Sequence, residues 1–291
     1  MHPINRSAGR TVHIYNTNDP DTVLGGLVLT PGVTNSNFYA MVKILFIFSG
    51  PFYLRVENGA RIEKDDNPLR PGRYHIISDA SFDVNNEPWL VRTISCASGS
   101  RAAAFTEAVR SRDRRCIISG ANVYTFDGVD FWNGFEAAHV FPLAYEGYWV
   151  ERGYGRWITM QPTIGGSINS VQNGMLLASD IHQLFDAYDF SINPDDNYKV
   201  VVFRPNSRVV GDQHLDPTYF SRPDAPVDSL LRWHYRQAVL ANMRGAGEPV
   251  FEHDFPPGSD IVGVILHGPK AAERMEFELF SRFGAQMELF S

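Results

Sequence analysis

The sequence predicts an α+β protein in three parts: a β-rich region over residues 1–98, a mixed module over 99–205 and a helical region over 206–291. Three observations carry this reading. Residues 1–95 hold short apolar runs punctuated by turn residues. Helical periodicity begins at Ser100, in a stretch rich in alanine. Beyond the prolines at 205, 217, 223 and 226, residues 227–243 and 269–289 read as helices. With 291 residues, 44% of them hydrophobic and 20% charged, the chain has an ordinary globular composition and is long enough to bury a sizeable core.

In order along the chain, Thr11 to Tyr15 alternates weakly, and Asn16 to Asp21 carries turn chemistry. Val23 to Leu29 reads as a strand around Gly25 and Gly26. The most apolar run, Phe38 to Leu54, reads as buried core. Phe52 to Val56 and Tyr74 to Ile77 are further strands, each beside a turn signal, and Trp89 to Ile94 could be another. Ser100 to Arg114 is a helix with Phe105, Ala108 and Val109 on its apolar stripe, capped by Ser98 or Ser100. Residues 121–180 read as loop-rich, with a Gly/aromatic insertion from Tyr145 to Trp157. Asp180 to Ala187 is a short helix capped by Ser179 or Asp180, Lys199 to Phe203 is a β run, and Val227 to Met243 is a helix closed by Gly245. Pro269 to Leu289 reads as an exposed terminal helix.

Composition excludes several classes. A net charge of −7 argues against broad electrostatic binding of nucleic acid. One local basic cluster exists: Arg101, Arg110, Arg112, Arg114 and Arg115, opposed only by Glu107 and Asp113. It is either a phosphate-binding patch or a solvated helix face. Two cysteines, Cys96 and Cys116, are too few for a disulfide scaffold or a four-thiolate zinc site. No signal peptide or membrane-spanning run stands out, so an intracellular protein, cytoplasmic or nuclear, is expected, with no membrane partner.

Four short segments carry the chemistry. They are Cys116-Ile-Ile-Ser-Gly120, Ala138-His-Val-Phe-Pro-Leu143, Asn173-Gly-Met-Leu-Leu177 and Ile181-His-Gln-Leu-Phe-Asp186. Together they place His139, Asn173 and His182 in order, each beside apolar residues. The set resembles the HNH endonuclease motif over roughly residues 110–205, and is closest to the HNH-type nuclease group common in fungal genomes.

The resemblance implies a ββα-metal core, a hairpin packed on a short helix, and metal-dependent hydrolysis of phosphodiester bonds in DNA with little sequence specificity. His139, Asn173 and His182 would be the catalytic set. His139 would be the general base, since an imidazole titrates near about 6.5. Asn173 would brace the hairpin or offer its carbonyl oxygen to the metal, and Gly174 would allow a tight turn beside it. His182 would bind the metal, joined by Asp186, which lies one helical turn on and shares its face. The two imidazoles would converge on one divalent ion, Mg, Mn or Zn. Many HNH nucleases carry an Asp just before the first His. Here that position is Ala138, so Asp186, Glu136 or water would fill the gap. Arg110, Arg112, Arg114 and Arg115 would touch the phosphate backbone, while Trp132, Tyr148 and Trp157 would stack on bases or simply pack. DNA is favoured over RNA as substrate. The competing reading is a non-catalytic interaction or nucleic-acid-binding protein on a degenerate HNH fold.

Overall fold

The computed structural model describes residues 6–90 and 100–245. Cys96, the terminal helix expected at 269–289 and most of the strand expected at 89–94 lie outside the described residues. The fold is α+β.

The N-terminal part runs β1 (Val12–Asn16), β2 (Asp19–Leu27), α1 (Asn35–Leu45), β3 (Phe46–Phe48), β4 (Phe52–Val56), β5 (Gly72–Ser78) and β6 (Phe82–Val84). Its main sheet has the order β2-β1-β5-β4, with β1 and β5 parallel and the other pairs antiparallel. The turn expected at 16–21 is shorter than its composition suggests, because β2 already begins at Asp19. The apolar run from Phe38 divides: its first part is helix. Phe38, Met41, Val42 and Leu45 have helical spacing and are buried. Thr34 and Asn37 start the helix with reciprocal side-chain to backbone bonds of 3.2 Å.

The second part runs α2 (Ser100–Asp113), β7 (Tyr124–Phe126), β8 (Val129–Phe131), β9 (Phe135–His139), α3 (Glu146–Glu151), β10 (Gly174–Ala178), α4 (Ser179–Asp186), β11 (Phe190–Asn193), β12 (Lys199–Val202), α5 (Pro217–Phe220) and α6 (Asp228–Met243). The segment expected to be loop thus contains a hairpin, β7–β8, as well as β9 and β10. Ala108, expected on the apolar stripe of α2, is exposed, whereas Phe105 and Val109 are buried. Neither Ser179 nor Asp180 caps α4. Strand β10 runs straight into the helix, so the cap position falls on Ala178.

Two cores meet at α6. Leu230, Leu231 and Trp233 face the core around β9, β10 and α4, while Tyr235, Ala238, Val239 and Met243 face the N-terminal sheet. A helix with apolar side chains on two sides packs between two cores. Strand β12 divides likewise by its period of two, with Val200 and Val202 in one core and Val201 in the other. Backbone closeness seals the junction. A Cβ on Gly25 of β2 would stand 2.5 Å from the Met243 carbonyl oxygen, so the strand docks against the end of α6 only as glycine. No helix among the described residues is long and apolar enough to cross a membrane.

Candidate active site

The site is built on the antiparallel hairpin β9–β10, in which His139 pairs with Gly174, Ala138 with Met175, Ala137 with Leu176 and Glu136 with Leu177. Directly opposed residues share a face, and faces alternate along each strand. Helix α2 covers one face, where Phe105 and Val109 pack with Leu176 and Ala137. Helix α4 covers the other, where Ile181 and Phe185 pack with Ala138, Met175 and Leu177.

His139 lies on the α2 face. Its ring stacks on Phe105 with centroids 3.7 Å apart and planes 12° from parallel. Gly174 across the ladder makes room for that stack, since a Cβ there would stand 2.5 Å from the Phe105 ring. Its backbone is extended (φ −140°), so this clearance, and not the turn expected there, is what calls for glycine.

His182 lies on the α4 face. Its Nδ1 is 2.6 Å from Oε2 of Glu136, and its Nε2 is 3.3 Å from Oδ2 of Asp186. An ionised carboxylate only accepts, so Nδ1–H donates to Glu136, and Nε2 faces the second carboxylate, Asp186. The hydrogen bond from His182 holds the Glu136 carboxyl below its usual range, with Ser179 adding to the effect.

The strand register sets the two histidines on different faces of the β9–β10 ladder. Period-two alternation sends residue 139 to the α2 face, while α4 docks on the even-numbered positions of β9. Ala138 is on the α4 face, fully buried among apolar side chains. A carboxylate at that position would belong to the His182 side, and a methyl group stands there instead.

Asn173 braces the structure. It is fully buried, its Oδ1 accepts from the Phe141 N–H at 2.8 Å, and its Nδ2 donates to the carbonyls of Ile168 (2.8 Å) and Phe141 (3.1 Å). The amide is committed at both ends to main chain, which corrects its expected placement as a metal ligand and leaves the bracing alternative.

Among the described residues no group of three or more His, Cys, Asp or Glu side chains is arranged to hold a metal ion. Glu136 and Asp186 address opposite edges of one imidazole, so the three do not close on a point. What the geometry fits is a two-ligand cation site, His182 Nε2 with Asp186, oriented from behind by Glu136. A carboxylate bonded to the second nitrogen of a ligating histidine is a common support for metal binding.

The arginines separate. Arg112 is 2% exposed at its side chain and spends its donors on Asp113 (2.6 and 2.8 Å) and on the carbonyls of Val171, Asp224 and Gly174 (2.7–2.8 Å). Asp113 in turn accepts from the Leu176 N–H and the Tyr219 hydroxyl. Arg112 therefore ties α2 to β10 and cannot touch a phosphate, which corrects its expected role. Arg110 lies over the Trp132 ring at 4.9 Å, Arg114 is exposed and paired with Asp130 at 2.6 Å, and Arg115 is exposed. Tyr148 and Trp157 are likewise overlaid by Arg152 and Arg156, and they pack against the core. Cys116 is a buried free thiol.

Sequence reasoning left Phe105 as a packing residue only and read the β7–β8 hairpin as loop. Asp127-Gly128 between two alternating runs was the available signal for that hairpin.

The site is thus a hairpin crossed by a short helix, bearing histidine, asparagine and histidine in that order. Residues 116–193 match the family model described as HNH endonuclease. Residues 9–83 match a second family model, described as a domain of unknown function (DUF8573). Among solved structures the chain is similar to a modification dependent TagI restriction endonuclease, at 16% identity and a TM-score of 0.28, with 80% of this chain and 83% of that chain covered. That likeness is too loose to define a shared fold. No curated protein matches the chain.

Proposed function

We propose that this protein is a metal-dependent endonuclease that hydrolyses DNA phosphodiesters with little sequence preference. The observation that carries the proposal is the line Glu136–His182–Asp186 on an HNH hairpin. It presents one imidazole nitrogen and one carboxylate oxygen side by side, with the imidazole ring held from behind by Glu136. A divalent cation bound there would offset negative charge on the scissile phosphate and the leaving oxygen. Two protein ligands leave coordination to water, which suits Mg or Mn better than Zn.

The chain's own part in the reaction is then assigned as follows. His182 and Asp186 hold the cation, and Glu136 holds the His182 ring. Asn173 holds the segment after β9 through Phe141. His139, the last residue of β9, takes the proton of the attacking water. Because its ring is on the α2 face, this role requires the scissile phosphate to lie across the end of the strand.

A second reading has its own observations: histidines on different faces of the hairpin and the methyl group of Ala138 suit a non-catalytic nucleic-acid-binding module. One panel separates the two. Supercoiled plasmid, single-stranded DNA and RNA are incubated with Mg, Mn or Zn and with wild type, His139→Ala or His182→Ala. The enzyme reading expects nicking by wild type with Mg or Mn and none by either variant. Intact substrates in every lane would overturn it in favour of the second reading.

A further inference from the structure

Strands β7 and β8 form a hairpin whose two turn residues, Asp127 (φ 49°) and Gly128 (φ 76°), both have left-handed backbone, as a tight type I′ turn requires. Tyr124 opposes Phe131, and Phe126 opposes Val129. All four side chains therefore lie on one face. That face is open: Tyr124 is 65%, Phe126 63%, Val129 59% and Phe131 43% exposed. The other face is polar and tied down. Asp130 accepts from Thr125 and from Arg114, each at 2.6 Å, and Arg114 roots the hairpin at the end of α2. An isolated two-stranded hairpin is marginal in water, and exposing four apolar side chains on one adds to its cost. The face calls for an occupant.

We propose that the β7–β8 hairpin is a nucleic-acid contact that stacks Tyr124, Phe126 and Phe131 on unpaired or unstacked bases of the substrate. This rests on the nuclease reading and names how the substrate is held. Charge favours this occupant. Arg114 neutralises Asp130 on the hairpin's polar face, and exposed Arg115, bridged to Asn122 just before β7, leaves a cation beside the aromatic face for a flanking phosphate. Shape favours it as well, since a two-stranded ribbon fits a nucleic-acid groove and flat rings stack on any base. The position is apt: Trp132 to Gly134 alone separate β8 from β9, and Gly134 accepts from the Ser179 N–H at the start of α4, the helix that carries His182. A second copy of the chain is disfavoured by size. A stable protein interface takes roughly 20–30 residues a side, far more than this face offers.

The test is fluorescence anisotropy with labelled single-stranded and duplex DNA in EDTA, across a salt series, for wild type, Tyr124→Ser/Phe126→Ser and Arg115→Ala. Plasmid nicking with Mn and sedimentation are measured in parallel. The aromatic pair is exposed, so far-UV circular dichroism and melting should match wild type. The expected result is about a ten-fold or greater loss of single-strand affinity for the aromatic variant with an unchanged salt slope. Arg115→Ala should flatten that slope. Unchanged affinity with nicking retained overturns the hairpin proposal and leaves the nuclease reading standing. A wild-type dimer that the aromatic variant dissociates, with DNA affinity unchanged, overturns it in favour of self-association. Wild type that neither binds nor nicks DNA overturns both.

Discussion

The two faces of the β9–β10 hairpin carry one histidine each, and they are built differently. On the α2 side, His139 is half-buried against Phe105, above a ladder position that tolerates no side chain, and Arg112 with Asp113 locks the helix in place. On the α4 side, His182 stands at the rim between two partly exposed carboxylates. One imidazole stacks on a buried ring and the other sits between two carboxylates. The contrast teaches that an ordered His–Asn–His pattern need not mean one shared pocket. The hairpin presents its histidines to different environments, and each is suited to a different task.

The largest expected effect breaks the pair apart. His139→Ala should reduce plasmid nicking by about 10²–10⁴-fold while leaving Mn binding by calorimetry unchanged. His182→Ala should remove both. Equal loss of Mn binding in the two variants would show that the faces are not independent.

Next comes the lock on the α2 face. Arg112→Ala leaves Asp113 charged and fully buried, and should lower stability by about 3–5 kcal/mol in urea denaturation. Glu136→Gln removes a carboxylate whose side chain is 50% exposed, so the same measurement should move little. Comparable losses would contradict the contrast between the faces.

Glu136→Gln should instead show in metal affinity, weakening Mn binding about 10- to 100-fold by loosening the His182 ring. Unchanged affinity would remove Glu136 from the site.

The smallest effect is in pH. Glu136 titrates below its ordinary value when folded, because the bond from His182 favours its charged form. Its contribution is present above the unfolded carboxyl pKa, about 4.3, and is lost as pH falls through the lowered folded value. The melting-temperature difference between wild type and Glu136→Gln should be constant above that range and close on acidification. A difference that widens would mean that Glu136 is not held in its charged form by His182.

Much of this was legible in one sequence. Helices α2, α4 and α6 follow from alanine content, periodicity and punctuation. The pairing of His182 with Asp186 follows from helical spacing alone, because residues four apart are neighbours on any helix. Helix α1 was hidden in an apolar run whose β-prone Phe46–Leu54 half coloured the whole. The burial of Arg112 was not legible: its neighbours Arg114 and Arg115 are exposed, and what distinguishes it is a set of backbone carbonyls distant in sequence.

The chain by itself determined the kind of module, because motif residues and their apolar flanks encode a hairpin and a short helix through local periodicity. Tertiary structure alone decided which residues meet: His182 with Glu136 across the helix–strand contact, His139 with Phe105, and Asn173 with main chain. Those meetings depend on strand register and on which face each helix covers. Register and docking come from burying the two cores as a whole, and no local stretch of sequence contains them.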